Sequence, residues 1–122
     1  MKVLIIDGSV EVTKRLEEIL SEAEVVMTIH KALSYNEAKT YLVNFRPEVV
    51  LLDMSLPGNN SFNLLKDIKS SGGNASVIVL SIHVDLRTKE QCKSFGVEYF
   101  FDKYNEFEKI PGAINEIAKR YQ

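Results

Sequence analysis

Four short apolar runs each end on residues that can do chemistry. Asp7 follows Val3-Leu4-Ile5-Ile6, Asp53 follows Val49-Val50-Leu51-Leu52, Ser81 follows Val77-Ile78-Val79-Leu80, and Asp102-Lys103 follows Tyr99-Phe100-Phe101. If the runs are parallel strands, these ends share one edge and neighbours stand about 4.8 Å apart. Two carboxylates brought together repel, so they either raise a pKa or recruit a cation. Mg²⁺ suits such a place: it takes oxygen ligands, keeps several waters and tolerates few carboxylates, above all where a phosphate completes the shell. Lys103 and the Ser81 hydroxyl could then neutralise and hydrogen-bond phosphoryl oxygens, leaving one carboxylate as the nucleophile of an acyl phosphate. Any one of these residues could equally cap a strand in water. Their convergence on one edge is what argues for a site.

The elements that must position them follow from periodicity. A fifth run, Val25-Val26-Met27-Thr28-Ile29, completes the set, and three of the five are continuously apolar and β-branched, as strands buried on both faces are. Between the runs lie helical stripes: Val12, Leu16, Ile19, Leu20 and Ala23; then Ala38, Tyr41, Leu42 and Phe45 behind a Ser34/Glu37 capping box. Leu64, Leu65 and Ile68 form a third, starting at Asn60 or Ser61 and ended by Gly72-Gly73. The segment from Leu86 to Phe95 is the weakest, with only Leu86, Cys92 and Phe95 apolar before Gly96, and predicts a loosely packed helix. Ile110, Ala113, Ile114, Ile117, Ala118 and Tyr121 form the strongest stripe, with Pro111 tolerable in its first turn. Five alternations of strand and helix predict an α/β domain: a doubly wound, five-stranded parallel sheet with helices on both faces. The strand order is open at this level, but ligands of such sheets gather beyond the carboxyl ends of the strands.

Composition narrows the function classes. The 122 residues make one domain, with no linker or repeat, and the net charge of −2 argues against a nucleic-acid binder. No apolar run approaches a membrane span, no signal peptide opens the chain, and one cysteine, Cys92, allows no internal disulfide; a cytoplasmic location is expected.

The sequence resembles the receiver domain of bacterial two-component response regulators, in stand-alone form, over essentially residues 1–122. The resemblance rests on Val3 to Asp7, on Arg46-Pro47-Glu48-Val49-Val50-Leu51-Leu52-Asp53-Met54-Ser55-Leu56-Pro57-Gly58, on Ile78 to Ser81, and on Gly96 to Lys103. It implies a flavodoxin-like (βα)5 sheet in the order 2-1-3-4-5, phosphorylation on Asp53, and Mg²⁺ held by Asp7, Asp53 and the Ser55 backbone carbonyl. It further implies Lys103 and Ser81 as phosphoryl partners that respond to the new charge, Phe100 as the switch aromatic, and a histidine kinase or phosphotransfer protein as donor. Such a domain is a signalling module and not an enzyme in the usual sense. Output would pass by phosphorelay or through an unknown downstream protein, since the sequence stops at the fifth helix with no output domain expected.

Two positions depart from the family pattern. Gly8 replaces the second of two adjacent acids, which implies a weakened Mg²⁺ site; Glu11, in the next helical turn, is either a substitute or a solvated helix-start acid. Tyr104 replaces the proline after the lysine, so the preceding bond is expected trans or strained. Phe100 has no hydroxyl and could switch only by packing. His83, two residues past Ser81, could gate the site, whereas His30 is expected to end an edge strand; neither has metal-ligand spacing. Cys92 reads as a packing residue. Two alternatives stay open: a phosphate-independent pseudo-receiver that only binds partners, and a flavin or nucleotide binder, for which Gly8-Ser9-Val10-Glu11 lacks both the dinucleotide glycines and the P-loop lysine.

Overall fold

The computed structural model describes residues 1–26, 28–58, 60–70, 75–82 and 85–121. Five strands, β1 (Lys2–Ile6), β2 (Thr28–Ala32), β3 (Val49–Asp53), β4 (Ser76–Ser81) and β5 (Tyr99–Asp102), alternate with five helices. These are α1 (Val10–Ser21), α2 (Tyr35–Asn44), α3 (Asn60–Ser70), α4 (Leu86–Ser94) and α5 (Ile110–Ala118). All strand pairs are parallel, in the order β2-β1-β3-β4-β5.

Side chains that alternate along the central strands build two cores, one on each face. Val3, Ile5, Val49, Leu51, Ile78 and Leu80 pack with the apolar stripes of α1 and α5. Leu4, Ile6, Val50, Leu52, Val77 and Val79 pack with Ala38 of α2, with Leu64, Leu65 and Ile68 of α3, and with Cys92 of α4. Burial on both faces is why these runs have no polar alternation.

Helix ends follow local chemistry. Ser9 and Ser34 cap α1 and α2, their hydroxyls accepting from the Val12 and Glu37 N–H groups, while the Glu37 carboxylate accepts from Leu33 N, one residue ahead of the cap. Asp85 caps α4 by accepting from Thr88 N at 2.9 Å. At its other end, Gly96 takes φ 83°, and Gly96 N and Val97 N donate to the carbonyls of Lys93 and Cys92, a Schellman close that needs a residue free of Cβ strain. Pro111 sits in the first turn of α5, as expected. The Gly72-Gly73 pair and the side chain of Tyr121 lie outside the described residues.

Two expectations change. The second strand is Thr28–Ala32, not the run from Val25 to Ile29, of which Met27 is outside the described residues. Val25 and Val26 belong to the turn after α1, where the Met1 ammonium donates to the Val25 carbonyl at 2.6 Å and Val26 N to that of Ala23 at 3.1 Å. Their apolar side chains pack on the α1/α5 core from a loop, and the more polar Thr-Ile-His-Lys-Ala forms the edge strand. His30 therefore lies mid-strand, its ring 4.1 Å from Phe45 and 4.9 Å from Tyr41. In α4, Leu86 does not join the apolar face: it is 71% exposed at the first turn, and Cys92 is the helix's only buried residue.

Candidate functional site

Strand register creates the site. Ile6 pairs with Leu52, so Asp7 and Asp53, each the next residue, end adjacent strands at the same level. They share the parity of Ile5 and Leu51, and both are buried. Each carboxylate is fixed by its own turn: Asp7 Oδ1 accepts from Ser9 N at 2.8 Å, and Asp53 Oδ1 from Ser55 N at 2.9 Å. Their other oxygens converge on one cation, since Lys103 Nζ lies 2.7 Å from Asp7 Oδ2 and 3.3 Å from Asp53 Oδ2.

Lys103 begins the loop after β5 and reaches past β4 to do this. Its backbone N–H donates to the Ser81 carbonyl at 2.9 Å, and its side chain is only 5% exposed. Ser81 itself is buried at the end of β4. The structure thus gathers Asp7, Asp53, Lys103 and Ser81 at one edge. Ser55 stands exposed on the loop beyond Asp53.

The electrostatics are those of a charged group taken out of water. Burial pushes the Asp7 carboxyl above its ordinary range; the bonds from Lys103 and Ser9 pull it back, and the Asp53 charge pushes it up again. Burial would lower the Lys103 ammonium, but its bond to Asp7 and the charges of Asp53 and Asp7 outweigh this and raise it. Two carboxylates face one ammonium in an almost dry place, so the site has one more acidic group than basic. That acidic excess, with oxygen-only donors, fits a hard divalent cation such as Mg²⁺. Asp7 and Asp53 would hold it, joined by the Ser55 carbonyl.

The remaining candidates sit elsewhere. Phe100 is half-buried on the opposite face, with the α2/α3/α4 core, and lines a cavity of about 300 Å³ beside Cys92. Burial pushes the Cys92 thiol up to about 11, which leaves it an unreactive packing group. Glu11 is exposed in the first turn of α1, and among the described residues no three acidic, histidine or cysteine side chains are grouped so that they could hold a metal ion. Tyr104 is 57% exposed, and no cis peptide bond occurs among the described residues, so the Lys103–Tyr104 bond is trans. His83 lies outside the described residues.

One supporting residue is not evident from sequence. Buried Ser61 donates to the Asp53 carbonyl at 2.7 Å and accepts from Leu56 N at 3.3 Å, tying the start of α3 to the loop that carries Ser55. Its only signal is its place at a helix start.

Comparison with known proteins agrees with this architecture. A family model described as the response regulator receiver domain matches residues 3–115. The Bacillus subtilis sporulation initiation phosphotransferase F is 28% identical over 115 residues, covering 94% of this chain and 91% of its own length. The Fimbriae Z protein of Salmonella typhimurium is 27% identical over 98% of this chain, which spans 57% of that protein. The crystal structure of the signal receiver domain of a DNA-binding response regulator from Colwellia psychrerythraea superposes with a TM-score of 0.88 at 22% identity, with 98% of each chain covered. Receiver domains are signalling modules that interact with histidine kinases or phosphotransfer proteins and generally bind Mg²⁺ at their phosphorylation site. By the match over most of its length, this chain belongs to the response regulator receiver domains of two-component systems.

Proposed function

We propose that this domain accepts a phosphoryl group on Asp53 and signals by the conformational change that follows. The observation that carries the reading is the buried Asp7/Asp53 pair held by Lys103 at the carboxyl edge of adjacent central strands. Ser55 N–H occupies Asp53 Oδ1, so Oδ2, which faces Lys103, is the oxygen that would bond to phosphorus. As the Oδ2–P bond forms, the bond from phosphorus to the donor breaks and its electron pair leaves with the donor, an imidazole of a histidine kinase or phosphotransfer protein, or a small acyl phosphate. Lys103, 3.3 Å from Oδ2, would meet the charge on the arriving phosphoryl oxygens, and the hydroxyl of buried Ser81 at the end of β4 would bond them. Mg²⁺, when bound, supplies further neutralisation of those oxygens.

The phosphoryl group adds negative charge to a site already holding an excess of acidic groups, and the new charge biases a two-state equilibrium. The element best suited to move is α4, which buries Cys92 alone, whereas α5 buries Ile110, Ala113, Ile114, Ile117 and Ala118. Phe100 packs on the same core as Cys92 and would answer by repacking. Output then goes to a partner protein or onward by phosphorelay.

Intact-mass spectrometry after incubation with acetyl phosphate tests the reading. A phosphoryl adduct that requires both Mg²⁺ and Asp53, and is absent from Asp53→Asn, is expected. No adduct on the folded wild type overturns it. Gly8 favours the second reading, a phosphate-independent interaction module, and Asp53→Ala leaving partner binding unchanged would support that one.

A further inference from the structure

The ammonium of Lys103 does its work at the end of a long side chain, so something must fix the backbone from which it springs. The family's usual proline after the lysine is absent, and Tyr104 stands there instead. In its place the loop 102–106 is closed by hydrogen bonds that converge on Asp102. Asp102 Oδ1 accepts from Tyr104 N at 3.0 Å and Asn105 N at 3.1 Å, and Oδ2 accepts from Asn105 Nδ2 at 3.3 Å. The backbone of Asp102 is engaged as well: its N–H donates to Glu106 Oε1 at 2.8 Å, and its carbonyl accepts from Glu106 N at 3.1 Å. Glu106 in turn holds Lys109 Nζ at 2.6 Å.

Asp102 is thus the third aspartate at this edge whose Oδ1 binds the N–H two residues ahead, after Asp7 and Asp53. It differs in direction. Asp7 and Asp53 turn inward to the ammonium, while Asp102 is half-buried and its carboxylate binds Tyr104 and Asn105 of its own loop, with its carboxyl held below the ordinary range first by the Tyr104 N–H and then by that of Asn105. Lys103 lies between this knot and the Ser81 carbonyl, so its backbone is fixed on both sides and its side chain points into the site.

We propose that Asp102 is a positioning residue, whose side-chain turn over Tyr104 and Asn105 holds Lys103 so that its ammonium bridges Asp7 and Asp53. Its bearing on phosphoryl transfer rests on the reading of Asp53 as phosphoacceptor; its bearing on the ion pairs does not.

The test uses the full chain with Asp102→Ala and Asp102→Asn, and reads the NMR signal of the Lys103 ammonium together with the rate of labelling by acetyl phosphate and Mg²⁺. In Asp102→Ala the ammonium signal moves toward that of an exposed lysine and labelling slows about tenfold, since small misplacements of a reacting group are costly. Asp102→Asn keeps the Oδ1 acceptor and recovers both readings to within about twofold. If Asp102→Ala does not fold, Asp102→Ser takes its place, with a hydroxyl that makes the same turn more weakly. A folded variant that loses thermal stability while the Lys103 signal stays at its wild-type position shows a merely structural Asp102 and overturns the proposal. A wild-type chain that acetyl phosphate does not label removes the phosphoacceptor reading and leaves the ammonium signal to decide this one.

Discussion

The ends of β1 and β3 are near copies of each other, and their differences say more than their likeness. Each ends a run of buried apolar residues with an aspartate whose Oδ1 accepts from the N–H two residues on and whose Oδ2 faces the shared Lys103. Beyond Asp53 the chain is tied down by Ser61, which bonds the Asp53 carbonyl and Leu56 N on either side of Ser55. Beyond Asp7 it continues into Gly8, which offers no side chain and has only the Leu33 carbonyl, 4.0 Å away, near the place a Cβ would occupy. Lys103 is also closer to Asp7 than to Asp53. The β1 end is therefore the closer counter-ion of the lysine, and on the function proposed above the β3 end is the one that reacts.

Exchanging the two roles by mutation gives the largest contrast. Asp53→Asn is expected to abolish the phosphoryl adduct, whereas Asp7→Asn leaves a slower one, both read by intact mass with acetyl phosphate. An adduct on Asp53→Asn equal to that on wild type would break the comparison.

Removing the shared cation comes next. Lys103→Met leaves two buried carboxylates without their partner, and breaking a buried ion pair from one side costs about 3 kcal/mol. Chemical denaturation in the presence of a chelator reads this loss, and added Mg²⁺ is expected to recover part of it. An unchanged midpoint would show that the bridging geometry contributes nothing to stability.

Filling the gap at the β1 end sharpens the comparison by restoring symmetry of charge. At Gly8 a Cβ makes only an ordinary contact with the Leu33 carbonyl and φ is not positive, so the fold accepts Gly8→Asp, and one more carboxylate is expected to tighten Mg²⁺ binding about tenfold. Isothermal titration calorimetry on both proteins measures it. Equal affinities would show that Gly8 does not weaken the site.

The smallest effect is in pH. Asp7 has a folded pKa raised above its ordinary 3.8, so the native state holds its proton longer than the unfolded chain does. Without divalent ion, its contribution to stability is therefore largest in acid and is lost as pH rises from about that value through the raised one. Lys103 contributes in the same sense at the other extreme: its share is complete below the ordinary 10.5 and is lost as pH rises through its raised folded value. The difference between wild type and Asp7→Asn in urea midpoints across the acid range isolates the first limb from surface carboxylates such as Glu98, whose pKa is lowered by its bond to Arg120. A difference of the opposite sign would place Asp7 in a stabilising, not a desolvated, environment.

Much of this was legible in the residues. The strands β1, β3 and β4 announce themselves as apolar runs because both of their faces are buried, β5 is legible as a half-buried aromatic run at the other edge, and the polar residue that ends each run is readable as a strand end. The edge strand β2 lies three residues beyond its apolar run for the converse reason: with one side open it needs no apolar run, so Thr28–Ala32 carries a histidine and a lysine while Val25 and Val26 pack from a turn. Leu86 misled in the same way, being apolar without being covered. The supporting contacts of Ser61 and Asp102 are not legible, since a serine at a helix start and an aspartate at a strand end are ordinary, and those contacts exist only in the folded loops.

Residue order and spacing by themselves determined the five alternations of strand and helix, the strand-end aspartates and the lysine that follows the last strand, because periodicity and burial are local properties of the chain. Tertiary structure alone decided which strands are neighbours, that Lys103 crosses β4 to bridge both carboxylates, and that the Asp102 turn holds it there. Those facts depend on contacts between segments far apart in sequence, whose geometry exists only once the sheet has assembled.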